Sequence, residues 1–373
     1  MIPIRLVFVG GIRTHYIKIN AIQKAINRLD SSFKSNFEFI YINTAQHYDH
    51  ALVNFIDELN IHFDYTLNHD SREPFIILSS IFSQLGTIFD TISKSTPIDY
   101  VVIMGDVSST AVAALVATIK KIRLIHIEAG IRTNALGIPG NEEKYRIITD
   151  MLSSFCFAST LEDYNNLLNE NIPNSYFSGD IVYDFIKHYT SNDKQKKSFN
   201  YYINCELHSF SSKEPYILCS LHHEENIVKE NLQNLFNILK GQEYRSIFIA
   251  HPRIKKYIKY NNINTFDTII ADGIPYLENL YAIQHSAFCI TDSGGIQREA
   301  FYFNKRCIVR SDLIIWQPIV SIGSNFTTGP SLDELSKAFK WAEDNKTKSF
   351  NNSLFGDGNA VMLILKTILS KNQ

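Results

Sequence analysis

YVVIMGDVSSTAVAALVATIKKIRLIHIEAG, residues Tyr100–Gly130, reads as strand, helix and strand. Tyr100–Met104 is an unbroken apolar run stopped by Gly105-Asp106, Ser108–Ile119 carries small residues at helical spacing, and Lys121–Ile127 is a second strand-like run ending at Glu128. Runs with no wet face belong in a parallel sheet covered on both sides. Two of them joined by a helix make a βαβ unit. Asp106 and Glu128 then stand at the carboxyl edge of one sheet, on strands that can be neighbours, where open α/β sheets bind their ligands.

The text beyond this unit, HIEAGIRTNALGIPGNEEKYRIITD from His126 to Asp150, is dense in charge. It holds Glu128, Glu142, Glu143 and Asp150 together with Arg132 and Arg146. Two readings are open: a solvated loop with surface salt bridges, or a proton-transfer site. Carboxylates crowded at a strand end resist ionising together, which suits removal of one proton and return of another.

Working outward, the alternation repeats. Ile4–Val9 is a short strand broken by Gly10-Gly11 and followed by helical spacing through Ile26. Phe37–Ile42 is a second strand, Ile76–Ile92 a helix, and Ser154–Ala158 a strand before the helix Leu161–Glu170. The text from Asp180 to Pro215 is polar, and the Lys194–Lys197 run reads as a solvated loop. Strands and helices then resume from Tyr216 to Val309, with later helices at Ser331–Asn345 and Ala360–Leu369. The expected fold is α/β, with two doubly wound Rossmann-like domains facing a cleft. The expected bounds are 1–175, 176–355, and a segment 356–373 whose helix packs back on the first domain.

The 373 residues are 45% hydrophobic and 20% charged, with a net charge of −2, so no basic field calls for nucleic acid or an anionic membrane. Cys156, Cys205, Cys219, Cys289 and Cys307 form no CxxC pair, and four sit in apolar runs, as expected of buried, reduced thiols. No apolar run reaches the roughly 18 residues that span a bilayer. The start, MIPIRLVFVGGIR, enters a strand without a signal peptide's charged region, so a cytoplasmic protein is expected.

In the second half, Thr291-Asp-Ser-Gly-Gly-Ile-Gln-Arg-Glu299 runs from a strand into a helix. Ser293 and the N–H groups of Gly294 and Gly295 can meet phosphate at a positive helix end, and Glu299 can accept ribose hydroxyls. The same residues also fit a simple helix cap, with Asp292 or Ser293 as N-cap. Leu221-His222-His223-Glu224-Glu225-Asn226 has poor spacing for zinc, because HEXXH sets its histidines four apart. His222 at a strand end suits an anionic phosphate or proton transfer, and His251-Pro252-Arg253 ends another strand in the same way.

Taken in order, these motifs resemble the UDP-N-acetylglucosamine 2-epimerase family through most of both halves. The markers are Gly11-Ile-Arg13 with Ile17-Lys18, Thr44-Ala-Gln46-His47, Gly105-Asp106, His126-Ile-Glu128-Ala-Gly130-Ile-Arg132-Thr133, and Glu142-Glu143-x-x-Arg146-x-x-Thr149-Asp150. They continue with Gly179-Asp180-x-x-x-Asp184, His222, Asp292-Ser-Gly-Gly295 and Phe355-Gly-Asp-Gly-Asn-Ala360. The resemblance implies a GT-B fold and epimerisation at sugar C2 without a cofactor or metal. UDP leaves as the C2 proton is removed, a 2-acetamidoglucal forms, and UDP adds back. The implied substrate is a UDP-sugar and the implied assembly a homodimer.

By motif position, Asp106, Glu128 and Glu142 are the implied acid/base carboxylates, and His222 the group that helps the diphosphate leave. Arg13, Ser293, Gly294, Gly295 and Glu299 would hold UDP, with Lys18 nearby and Arg132, Arg146, His251 and Arg310 in the same binding set. Gln46, His47, Arg72 and His223 mark a second-ligand site. Departures cluster in a few places. The family's Gly-Thr-Arg-Pro-Glu is Gly11-Ile12-Arg13-Thr14-His15, the arginine after the catalytic histidine is His223, and Trp316 stands in an altered segment after Arg310. These changes fall on the second-ligand and sugar-pocket motifs, while the carboxylates are retained. The residues around Gln46 and Lys18 look more like the non-hydrolysing branch; the alternatives are a hydrolysing epimerase, a GT-B glycosyltransferase and a silent sugar-nucleotide-binding protein.

Overall fold

The computed structural model describes residues 2–372 other than 47–49, 134–140, 193–197, 205, 212–213, 312–315 and 351. His47, Cys205 and the lysine run therefore lie outside the described residues. The chain forms two compact units, Met1–His188 with Ser353–Gln373, and Tyr189–Asn352.

The first unit is built on a seven-stranded parallel sheet. Its strands are β1 (Ile4–Gly10), β2 (Phe37–Asn43), β3 (Tyr65–Thr66), β4 (Tyr100–Met104), β5 (Arg123–Ala129), β6 (Phe155–Ala158) and β7 (Ser175–Phe177), in the order β3-β2-β1-β4-β5-β6-β7. The near-continuous burial of β1, β4 and β5 explains their unbroken apolar text. Val7, Val9, Val101 and Ile103 point to one face, where Ile81, Leu85 and Phe89 of the helix Pro74–Ser93 and Ala113, Ala114 and Ala117 of Ser108–Ile119 cover them. Each large side chain buried this way is worth about 1.5–3 kcal/mol. The alanines let the second helix lie close to the sheet.

The second unit begins with an antiparallel hairpin, β8 (Ser198–Ile203) and β9 (Glu206–Ser211). A six-stranded parallel sheet follows: β10 (Tyr216–Ser220), β11 (Arg245–Ile249), β12 (Ile269–Ala271), β13 (Phe288–Thr291), β14 (Arg306–Val309) and β15 (Asn325–Thr327), ordered β12-β11-β10-β13-β14-β15. Alternation sorts its two faces. Ile217 and Cys219 pack with Leu232, Phe236 and Phe339 on one side, while Tyr216 and Leu218 pack with Phe199, Phe210 and Tyr281 on the other. Cys156, Cys219, Cys289 and Cys307 are buried free thiols.

The structure differs from the sequence expectation in three respects. The polar stretch 180–215 contains the helix Ile181–Asn192 and the β8–β9 hairpin, because Phe199, Tyr201 and Phe210 turn inward at alternate positions and close one sheet face. The units divide after His188 and Asn352, not at 175 and 355. The helix Ile181–Asn192 starts in the first unit, where Asp184 accepts the N–H groups of Ala360 and Val361 at 2.9 Å each. Finally, Pro74–Ser93, at 20 residues, is long and apolar enough by length and composition to cross a membrane. Scattered serines and threonines break its apolar text, and Ile81, Leu85, Phe89 and Ile92 are its buried residues.

Candidate active site

In the first sheet the strand order reverses at β1 and β4, and there the loops after β1, β4 and β5 gather. β4 and β5 are hydrogen-bonded neighbours with Met104 opposite Ile127, so Asp106 and Glu128 leave adjacent strand ends. Glu128 sits at a β-bulge, where the register with β6 shifts between Ile127 and Ala129. Its φ is +66°, a left-handed conformation that costs a side-chain-bearing residue roughly 1–2 kcal/mol. The bulge re-aims the carboxylate. Lys18, buried in the helix Arg13–Asn27, forms an ion pair with it.

Asp106 is gripped by Arg146, whose Nε donates at 2.9 Å and whose Nη2 makes a second, shorter bond. Arg146 Nη1 donates to Glu143 at 3.1 Å. Glu143 also accepts from the Thr133 N–H and hydroxyl at 3.0 and 2.9 Å. Burial raises the Glu143 carboxyl, but the Thr133 bonds and Arg146 outweigh it and hold the group below its usual range. Glu142 is exposed in the first turn of the helix Glu142–Leu152. Arg132 is engaged by Asp150 and Glu170, and Arg13 lies 4.8 Å over the Phe55 ring. Gln46 bonds Ser108 at 3.0 Å and, with Arg72, lines a small cavity of about 150 Å³.

The second sheet reverses at β10 and β13, and His222 and Ser293 follow those strands. Asp292 does not cap the helix Gly294–Tyr302. Its carboxylate accepts the N–H groups of His222 and His223 at 2.9–3.0 Å and the Asn226 amide at 2.9 Å. Asn226 in turn bonds the Arg310 carbonyl at 2.7 Å and its guanidinium at 3.2 Å. Ser293 is the N-cap residue, but its hydroxyl makes no capping bond. Glu299 is buried in the same helix. Trp316 donates from its indole to the Gly294 carbonyl at 3.1 Å and carries Arg298 4.3 Å above its ring. His222 Nε2 meets the Ser220 hydroxyl at 3.0 Å, while His251 caps the helix Pro252–Tyr260 by accepting the Arg253 N–H at 3.2 Å. Among the described residues, no group of three His, Cys, Asp or Glu side chains could hold a metal.

The first unit thus gathers Asp106, Glu128, Lys18 and Arg146 at one strand edge, and the second gathers His222, Ser293, Gly294 and Arg310 at another. Residues to which the sequence assigns no role in the site hold them: Glu143, Thr133 and Asp150 in the first unit, Asp292 and Asn226 in the second. Asp292 is legible only as a possible N-cap, and Asn226 only as the end of the His222 segment.

Comparison with known proteins gives one consistent result. The sequence profile of the UDP-N-acetylglucosamine 2-epimerase family matches residues 30–369. A UDP-N-acetylglucosamine 2-epimerase homolog of Methanococcus maripaludis is 31% identical over 98% of this chain and 99% of its own. A UDP-2,3-diacetamido-2,3-dideoxy-D-glucuronate 2-epimerase of Pseudomonas aeruginosa is 27% identical over 95% and 97%. The crystal structure of Methanocaldococcus jannaschii UDP-GlcNAc 2-epimerase in complex with UDP-GlcNAc and UDP superposes with a TM-score of 0.80 at 28% identity, covering 98% of this chain and all of that one.

Proposed function

We propose that this chain, which belongs to the UDP-N-acetylglucosamine 2-epimerase family, inverts C2 of a UDP-linked N-acetylated amino sugar of the UDP-GlcNAc kind in the cytoplasm. A carboxylate of the first unit takes the C2 proton while the C1–O bond to UDP breaks, giving 2-acetamidoglucal and UDP. A proton then returns to C2 from the opposite face, and a β-phosphate oxygen of UDP adds to C1. The proton-transfer groups are Asp106, Glu128 and Glu142, since inversion needs such groups on both faces of the ring.

The departing diphosphate is met by His222, Ser293 and the N–H groups of Gly294 and Gly295, with Arg13, Arg310 and Glu299 completing the UDP contacts. Donors already aimed at developing charge lower its cost without reorganisation. The observation that carries this reading is the pair of adjacent strand ends bearing Asp106 and Glu128, each beside a cation, Arg146 and Lys18. UDP-activated N-acetylated amino sugars are building blocks of surface glycans, and we assign the product to that use. The reading includes a homodimer, which light scattering measures.

The test is proton NMR of the purified protein with UDP-GlcNAc in deuterated water. Deuterium at C2 of a UDP-linked manno product supports the proposal. Labelled free sugar with UDP would move it to the hydrolysing reaction. No exchange with this substrate or with a UDP-diacetamido sugar would overturn it.

A further inference from the structure

We propose that the buried Asp150–His126 pair is a positioning element that sets both Asp106 and Glu128 without touching either, the first through the Gly105 carbonyl and the second through the Gly130 N–H. This rests on the reading of those two carboxylates as the proton-transfer groups.

His126 lies in β5 with its side chain fully buried, two residues before Glu128. Its Nε2 is 2.9 Å from the Gly105 carbonyl oxygen and its Nδ1 2.6 Å from Asp150 Oδ1. Neither oxygen has a proton to give, so both ring nitrogens donate and the ring carries both protons. Asp150 is equally buried and accepts two further bonds at Oδ2, from the Gly130 N–H at 3.1 Å and Arg132 Nη2 at 2.8 Å. Burial raises the Asp150 carboxyl, but the bond and charge of His126 and the charge of Arg132 outweigh it and hold the group below its ordinary value.

The two outer ends of this network are the backbone on either side of the proposed chemistry. Gly105, at φ +73°, immediately precedes Asp106, and Gly130, at φ +84°, stands two residues after the left-handed Glu128. A strained residue persists only where its surroundings over-determine it. Here the surroundings are a carbonyl fixed on one strand end and an N–H fixed on the next, joined by one imidazole and one carboxylate. The charged pair can remain buried because Arg132 and the Gly130 N–H satisfy its carboxylate and the Gly105 carbonyl accepts from its ring. Asp150 lies in the helix Glu142–Leu152, so the same carboxylate also ties that helix to both strand ends.

Asp150→Asn keeps the volume of the side chain and an acceptor for Gly130, but its amide hydrogens oppose a protonated Nδ1. A displacement of about 1 Å at reacting groups costs on the order of 100-fold in rate. The expected result is therefore a kcat about 100-fold lower, with C2 exchange falling in parallel, while KM and UDP affinity stay within about threefold of wild type. Tm falls as well, because a buried cation loses its partner. His126→Gln, which retains a donor for the Gly105 carbonyl, should lose less. The ring itself is read by NMR of ¹⁵N-histidine-labelled protein: wild type should show two ring N–H protons that vanish in His126→Gln, and Asp150→Asn should lose one.

An unchanged kcat in Asp150→Asn would overturn the proposal. So would a single ring proton in wild type, or a loss of kcat matched by an equal loss of UDP binding in both variants, the mark of a merely structural role. If wild type itself exchanges no C2 proton on any UDP-sugar, the functional reading fails and takes the positioning role with it, whereas the ring protons still report the pair separately.

Discussion

The ammonium of Lys18 and the carboxylate of Glu128 form an ion pair in which both side chains are more than nine-tenths buried. Taking one member away leaves an uncompensated charge in a poor solvent, which typically costs 3–5 kcal/mol. Lys18→Met should accordingly lower Tm by roughly 6–20 °C, from about 2–4 °C per kcal/mol in a unit of this size. Adding Glu128→Gln should recover part of the loss, because the remaining group is then neutral. Calorimetry of the two single variants and the double variant measures the coupling. Additive losses would mean that the two groups do not sense each other.

Glu128→Gln alone tests the chemistry. The amide keeps the shape and the left-handed backbone but cannot accept a proton. A positioned acid or base contributes about 10²–10⁴-fold, so turnover should fall by at least that lower figure while UDP binding by calorimetry is retained. Loss of both would assign Glu128 to the scaffold.

Asp163 gives a pH dependence of stability. Its carboxyl is pushed up to about 7, chiefly by burial and also by the charges of Glu128 and Glu162, against the Thr160 hydroxyl and N–H that pull it down. In the unfolded chain an aspartate titrates near about 3.9. Between those values the folded protein keeps a proton that the unfolded chain has released. This contribution is fully present below about pH 4, declines as pH rises, and is gone above the folded value. A shift of this size is worth at most roughly 4 kcal/mol. Asp163→Asn, which still accepts from Thr160, should therefore be more stable than wild type at pH 8, with the gap narrowing toward pH 5. Thermal melts across that range check it, and a constant gap would refute it.

Asp184 holds the last helix. Its two oxygens accept the Ala360 and Val361 N–H groups, the first orphan donors of Ala360–Ser370. Removing a cap costs about 0.5–2 kcal/mol, and here two buried donors lose their partner. Asp184→Ala should speed hydrogen exchange throughout 360–370 before the rest of the first unit responds. Mass spectrometry of that segment measures the effect.

The sequence was most legible where periodicity and burial coincide. The runs at Tyr100–Met104 and Tyr216–Ser220 could only be interior strands, and the glycines and charged residues after them marked ligand edges. Three things were hidden. β3, β7 and β15 are two or three residues long, too short to show a period. The hairpin β8–β9 lies in text whose serines, lysines and asparagines masked an inward row of Phe199, Tyr201 and Phe210. The partners of the site were hidden by distance along the chain, since the bond from Arg146 to Asp106 and that from Asn226 to Asp292 each join residues dozens of positions apart. Asp292 shows the limit well: a carboxylate ahead of Ser-Gly-Gly reads as a cap, and only the fold reveals that it turns back to His222.

The cap that Asp184 places on the final helix has a consequence for biosynthesis. The second unit is one uninterrupted length of chain, but the first is made of two lengths, with all of Tyr189–Asn352 spoken in between. A ribosome therefore delivers all seven strands of the first sheet, then the entire second unit, and only after it the helix that packs on Arg13–Asn27. Folding cannot run simply from front to back. The nascent first unit must wait, with one flank bare, until the helix Ala360–Ser370 emerges, and that interval is when it most needs shelter from aggregation.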